Sequence, residues 1–307
     1  MPRPRVTPID RYRPRTIADQ VAEFLEARRR ILGGRTEKTT IRAYRHDLAR
    51  FLATFGDHDV TAIATPELER YLQALRKPDG TLVAPATANR HRGTLAAFFT
   101  WLEDQGTVTK NPMKGIRKAR VPEPEPGSLS PETCAALLAR AKAMGTREHA
   151  LVALLLATGL RASEALDLDV GDLDLGQLSA AVRHGKGGKA RKVFFTPDER
   201  RVLKRLLAEH PDPRPHAPLF TSNRGRLSYP RAAALFTEIA RDLTNSDGSA
   251  VHMHQTRHTM ATRLLGAGMN PIHLATLTGH ADLRTLGRYT KAAQTEAAEA
   301  DFRKLTR

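Results

Sequence analysis

The chain has 307 residues, room for two ordinary domains with real cores. Its 49 Lys and Arg against 33 Asp and Glu give a formal charge of +16, a balance that favours a polyanionic partner, nucleic acid first. One cysteine, Cys134, excludes an intrachain disulfide and argues against a thiolate metal site, and no apolar run reaches the ~20 residues a bilayer span needs. The basic N-terminus, MPRPRVTPIDRYRPR, lacks the apolar stretch of a secretory signal. These features together fit a cytoplasmic protein.

Residues 1–16 mix Pro and Arg without periodicity and read as a flexible basic tail. Four amphipathic stripes follow. Val21, Phe24, Leu25, Arg28, Ile31 and Leu32 share one face, with Gly33-Gly34 as its stop. Ile41, Tyr44, Leu48, Phe51, Leu52 and Phe55 recur at three and four residues up to a C-cap candidate, Gly56. Thr65-Pro66 reads as an N-cap and first helical position ahead of Leu68, Tyr71, Leu72 and Leu75. Leu95, Phe98, Phe99 and Leu102 run to Gly106. These stripes predict an all-helical domain over 17–116. The alternating Pro and Glu of VPEPEPGS hold an extended linker within 117–128.

Ser130-Pro131 caps the next predicted helix, and another covers 147–157. LSAAVRH, GKGGK and ARKVFF read as strand, turn and strand over 178–195. Thr196 and Glu199 have capping-box spacing before a helix through Leu207. Further helices are predicted near 230–243, 253–267, 271–278 and 282–290. The chain is therefore expected to be mainly α, with a small antiparallel sheet in its C-terminal half, and residues 129–307 to form an α+β domain.

Four phrases carry chemistry. In TGLRASE, Gly159 can end a helix in a left-handed cap, Arg161 starts the next turn, and Glu164 can orient a neighbouring cation. Arg161 and Glu164 also fit an ordinary surface pair. In HGKGGKARK the Walker phosphate-loop spacing is not met, and the flanks are strand-like. A hairpin tip presenting Lys186 and Lys189 fits better. In HQTRH, His254 and Arg257 share a helix face and can converge on one oxyanion, though a solvated basic helix fits as well. His252, His254, His258, His273 and His280 raise zinc, but no HExxH and no thiol or carboxylate set completes a site. In TGHADLRTLGRYT, Tyr289 follows His280; alone, such a tyrosine is an ordinary packing residue.

Taken in order, these phrases resemble the tyrosine recombinases, the phage-integrase and Xer group of site-specific DNA recombinases. TGLRASE is similar to the family's first arginine box, HGKGGKARK to its hairpin lysine motif, and HQTRHTMATRLL to its His-x-x-Arg-His box. TGH with RYT resembles the final histidine and nucleophile motif. TTIRAYRHDLARFL and NRHRGTLAAFFTWLEDQG look like the helical core-binding domain. The resemblance covers roughly residues 17–296. Thr256, Thr278 and Ala281 depart from the residues usual in the family, at positions without a chemical role.

The resemblance implies a catalytic set of Arg161, Lys186, His254, Arg257, His280 and the nucleophile Tyr289, with Glu164 in support. Tyr289 would form a 3′-phosphotyrosyl bond, Arg161 and Arg257 would hold the phosphate oxygens, Lys186 would protonate the leaving 5′-oxygen, and His254 would accept the tyrosine proton. His280 would donate to the phosphate. Neither metal nor ATP nor any other cofactor is implied. The expected partner is double-stranded DNA carrying specific sites, bound by a homotetramer, with a partner recombinase as an option. Arg45, Arg90, Arg92, Lys189 and Arg191 are candidate DNA contacts, and 292–307 is the candidate subunit-docking segment. Two alternatives are a type IB topoisomerase-like relaxase and a non-catalytic DNA-binding protein on the same fold. The first helix begins near residue 17, which favours a compact Xer-like, transposon-encoded or plasmid-resolving enzyme over one with an arm-site domain. The setting implied is a bacterial cytoplasm, on the nucleoid.

Overall fold

The computed structural model describes residues 16–32, 34–56, 58–121, 127–183 and 190–279, with backbone alone for 34–39. Contacts divide the chain into two units between residues 123 and 124.

The first unit is helical: α1 (Ile17–Leu32), α2 (Gly34–Phe55), α3 (Thr65–Gln73) and α4 (Pro85–Asp104). The apolar stripes predicted from periodicity form its core, where Phe24, Leu48, Phe51, Leu68, Phe98, Phe99 and Leu102 are fully buried. Phe51 meets Tyr71, Phe98 and Phe99 edge-on, the arrangement that ring quadrupoles favour. Gly56 adopts φ +66° and its N–H closes on the Leu52 carbonyl at 2.8 Å, ending α2 as expected.

Three details depart from the sequence reading. Ile31 is 71 % exposed, because the last turn of α1 runs past the edge of the core. Gly34 opens α2 instead of ending structure. The N-cap of α3 is Ala64, one residue earlier than expected: the Glu67 carboxylate accepts from the Ala64 N–H at 2.9 Å, and the Thr65 hydroxyl donates to the Pro112 carbonyl at 2.8 Å.

One polar group lies inside this unit. Asp47 of α2 is buried and accepts from Arg90 at 2.7 Å and from the Thr94 hydroxyl at 2.8 Å, both on α4. The buried His91 ring lies 3.2 Å from the same carboxylate. A buried carboxylate is tolerable only when so satisfied, and the set pins α2 to α4.

The second unit continues with α5 (Pro131–Met144), α6 (Thr146–Thr158), α7 (Ala162–Asp167), β1 (Leu173–Asp174), β2 (Ser179–Val182), β3 (Arg191–Phe194), α8 (Pro197–Ala208), β4 (Thr221–Ser222), β5 (Gly225–Arg226), α9 (Tyr229–Ile239), α10 (Gln255–Gly266) and α11 (Pro271–Thr278). The fold is thus mainly α with small antiparallel sheets in the C-terminal half. Helix α6 is apolar almost all round: Leu151, Val152, Leu154, Leu155 and Leu156 are buried, so it sits inside the unit. Each such leucine stabilises the fold by roughly 1.5–3 kcal/mol through the surface it hides. Ser130 caps α5 by accepting from the Thr133 N–H, and Thr196 with Glu199 forms the predicted capping box of α8. Cys134 packs against this core, and burial raises its pKa.

Strands β2 and β3 pair antiparallel with Ser179 opposite Phe194 and Val182 opposite Arg191. The sheet gains a third strand, β1, and β4 with β5 forms a separate ribbon. Two-residue strands carry no alternation, so these escaped sequence reading. The GKGGK turn, the helix expected over 282–290 and the segment 292–307 lie outside the described residues. Among the described residues, no helix is long and apolar enough to cross a membrane.

Candidate active site

Three loops of the second unit converge where α6, α10 and α11 end or begin. Helix α6 closes at Gly159 in a left-handed conformation, φ +59°, ψ 23°, with its N–H on the Leu155 carbonyl at 3.0 Å. Only glycine fits. Besides the positive φ, a Cβ there would lie 2.1 Å from Cε of Met260 on α10. The turn releases the chain into Arg161, which caps α7.

Arg257 lies in the first turn of α10 and is 1 % exposed. Its Nη1 donates to the Gly159 carbonyl at 2.8 Å, and its Nη2 to the Thr278 carbonyl at 2.6 Å. One guanidinium therefore ties the end of α6 to the end of α11, where Thr278 precedes the left-handed Gly279 (φ +68°). Three motifs distant in sequence meet at this side chain.

Arg161 is about a quarter exposed, and its Nη1 donates to Glu164 at 2.9 Å. Glu164 is 5 % exposed and accepts four hydrogen bonds: from Arg161 N and Nη1, and from Arg191 Nη1 and Nη2 at 3.1 and 2.7 Å. Burial alone would raise its pKa. The bonds from Arg191, then that from the Arg161 N–H, with the two cationic charges, outweigh burial and hold the carboxyl below its ordinary value. Glu164 therefore stays ionised and positions Arg161.

His254 caps the N-terminus of α10 and faces solvent, with its ring edge-on to His258 at 4.9 Å. Desolvation of the ring's inner side, then the charges of Arg257 and Arg161, lower its pKa. The positive end of the α10 dipole acts in the same direction. A neutral imidazole beside two guanidiniums can accept a proton.

Of the sequence-predicted site, the structure brings together Arg161, Glu164, His254 and Arg257. Lys186, Lys189, His280 and Tyr289 lie outside the described residues. Arg191 requires a correction. Expected as a DNA contact, its side chain is 9 % exposed and turned inward onto Glu164, so it offers no free charge to a groove. In the first unit Arg45 is exposed, Arg90 holds Asp47, and Arg92 donates to the Ile116 carbonyl at 2.7 Å. Among the described residues, one group of three side chains could offer metal ligands: His46, Asp47 and His91. Arg90 and Thr94 already occupy that carboxylate, and the Arg90 charge beside it opposes a cation.

Residues 128–296 match the family described as "Phage integrase family", and residues 19–106 match "Phage integrase, N-terminal SAM-like domain". The chain is 34% identical over 266 residues to tyrosine recombinase XerC of Rhodospirillum centenum, covering 82% of this chain and 76% of that protein. It is 32% identical to tyrosine recombinase XerD of Caulobacter vibrioides over 83% of this chain and 87% of that one. Among solved structures, a Tn1549 transposon integrase in complex with transposon right end DNA superposes with a TM-score of 0.75 at 20% identity, covering 95% of this chain and 100% of that chain. A lambda integrase dimer bound to a COC′ core site gives 0.70 at 16% identity, over 87% and 96%. The likeness to these two structures concerns the fold. With the family matched across both units, the chain belongs to the phage integrase family of tyrosine recombinases, and is a site-specific recombinase that cleaves and rejoins DNA.

Proposed function

We propose that Tyr289 is the nucleophile of this reaction and that Arg161, Arg257, His254, Lys186 and His280 serve it. The phenol oxygen attacks the scissile phosphorus, forming a 3′-phosphotyrosyl bond as the bond to the 5′-oxygen breaks. His254 takes the phenol proton and Lys186 returns one to the 5′-oxygen. Arg161 and Arg257 stabilise the charge on the non-bridging oxygens, with His280 as a further donor. Fixed guanidiniums suit that task because they are permanently charged and already oriented. The phosphodiester energy stays in the covalent link, so rejoining needs no ATP. The observation that carries this reading is the buried Arg257, whose hydrogen bonds join the Gly159 and Thr278 turns and so gather the arginine and histidine motifs at one point.

In this reading residues 17–116 form the core-binding domain, 117–128 the linker and 129–307 the catalytic domain, with 292–307 docking on a neighbouring subunit. Arg45, Arg90, Arg92 and Lys189 contribute to duplex binding. The lambda integrase relatives are a dimer on a core site and a tetramer on a Holliday junction, which supports a homotetramer acting on two specific DNA sites. The Xer-type relatives are bacterial, which supports action in a bacterial cytoplasm.

The test is a nicked suicide substrate, drawn from sequences flanking the encoding gene, incubated with the protein in EDTA. An SDS-resistant protein–DNA adduct is expected. Formation of the adduct only with added divalent metal would contradict the reading.

The lowered His254 pKa gives a pH dependence. An ordinary imidazole, at 6.5, is half charged at that pH, whereas His254 remains mostly neutral. Cleavage at subsaturating DNA is therefore expected to keep more than half of its full rate at pH 6.5 and to reach half only in more acid solution. A rate already halved at 6.5, with DNA binding intact, would remove His254 as the proton acceptor.

A further inference from the structure

Arg191 occupies a place that no DNA contact would need. It is the first residue of β3, the strand that follows Lys186 and Lys189 in the chain. Its side chain turns to the same face as Val193 and Phe195, which are buried. There the guanidinium meets the Glu164 carboxylate with two parallel bonds of 3.1 and 2.7 Å, the bidentate geometry that suits Arg and not Lys. The third donor, Nε, reaches the Leu277 carbonyl at 2.9 Å. Leu277 and Thr278, adjacent carbonyls at the end of α11, are thus held by Arg191 and Arg257 respectively.

Contact with that turn is close. A Cβ added at Gly279 would lie 3.2 Å from Cζ of Arg191, so the glycine backbone rests against the guanidinium. The next residue in the chain is His280. Arg191 therefore touches α7 through Glu164, touches the turn that precedes His280 in the chain, and lies on the strand that follows Lys186 and Lys189.

We propose that Arg191 is a positioning residue for DNA cleavage: it fixes Glu164, and through it Arg161, and holds the turn that delivers His280. The inference rests on the reading of Arg161 and His280 as phosphate-binding groups. Arg191 itself does not touch the phosphate. It keeps Arg161 aimed by fixing the Glu164 carboxylate to which the Arg161 guanidinium donates at 2.9 Å, and it sets where the α11 turn ends.

The experiment compares single-turnover cleavage of the nicked suicide substrate by the parent, Arg191→Lys, Arg161→Ala and the double variant, at saturating DNA. Thermal melting and DNA affinity are measured alongside. Lysine keeps the charge but cannot make two parallel bonds. Arg191→Lys is expected to bind DNA within about threefold of the parent yet cleave on the order of tenfold to a hundredfold more slowly, as a sub-ångström misplacement would produce. In the Arg161→Ala background the same change is expected to slow cleavage by a clearly smaller factor, because part of its effect passes through Arg161. Cleavage by Arg191→Lys at the parental rate would overturn the proposal. So would an equal factor in both backgrounds, the mark of a contribution to stability alone. Should Arg191→Lys not fold, Glu164→Gln replaces it, since the amide keeps the shape but cannot accept both bonds; the same slowing and the same dependence on Arg161 are expected, and their absence is decisive in the same way. The parent separates the two levels. Failure of the parent to form an adduct removes the reading of the site, whereas a parental adduct with an unaffected Arg191→Lys removes only the role of Arg191.

Discussion

Arg257→Ala is expected to slow cleavage severely and to weaken the fold at once, whereas Arg161→Ala is expected to do only the former. The difference comes from burial. Arg257 is 1 % exposed, and its loss leaves the Gly159 and Thr278 carbonyls without their donor inside the protein. Each such orphan costs about 1–3 kcal/mol, and the truncated side chain leaves a cavity between α6, α10 and α11. Together these amount to roughly 3–5 kcal/mol, a fall in melting temperature on the order of 10 °C. Arg161 is about a quarter exposed, and its removal leaves Glu164 still paired with Arg191. Loss of a preorganised donor from the phosphate site costs about 3–4 kcal/mol in the barrier, so both variants should cleave at least about a hundredfold more slowly. Calorimetry beside single-turnover cleavage checks the pair. An Arg257→Ala protein that melts like the parent would show that the two backbone bonds contribute nothing to the fold.

Tyr289→Phe is expected to bind the recombination site with parental affinity and to form no adduct. The substitution removes one oxygen and little else. A free phenol has a pKa near ~10, so the reaction depends on a nearby acceptor and a cationic surrounding to make that oxygen a nucleophile. The described part of the site offers both, in His254, whose pKa is lowered by desolvation and by the charges of Arg257 and Arg161, and in those two guanidiniums. Denaturing gels with labelled DNA check this: an adduct surviving in Tyr289→Phe would assign the nucleophile elsewhere.

Much of this architecture was legible before any coordinates. Ile41, Leu48, Phe51 and Leu52, or Leu95, Phe98, Phe99 and Leu102, repeat at helical spacing because one face of each helix must be hidden. The caps at Ser130, Thr196 and Gly159 were legible for local reasons, since each helix end needs a donor, an acceptor or a positive φ. What escaped was set by tertiary contacts. The two-residue strands β1, β4 and β5 carry no period of their own. Ile31 kept the helical rhythm past the point where the core stops.

Arg191 is the more instructive miss. Basic residues in a basic hairpin suggest a DNA groove, and composition favours that reading for every one of them. Strand alternation contained the correct signal: Arg191, Val193 and Phe195 fall on one face, and the apolar pair marks that face as inward. An arginine there requires a buried carboxylate, and Glu164, in the first arginine motif, is the one it meets. The residues of HQTRH were likewise identified by spacing, but only the fold reveals that Arg257 is an interior strut as well as a charge.

The most direct test of the central claim is to locate the covalent bond. The adduct formed on a suicide substrate is digested with protease and nuclease, and the modified peptide is sequenced by mass spectrometry. The account predicts a nucleotide joined through its 3′-phosphate to Tyr289, with a free 5′-hydroxyl on the released strand. A bond to any other residue, or to a 5′-phosphate, would contradict it.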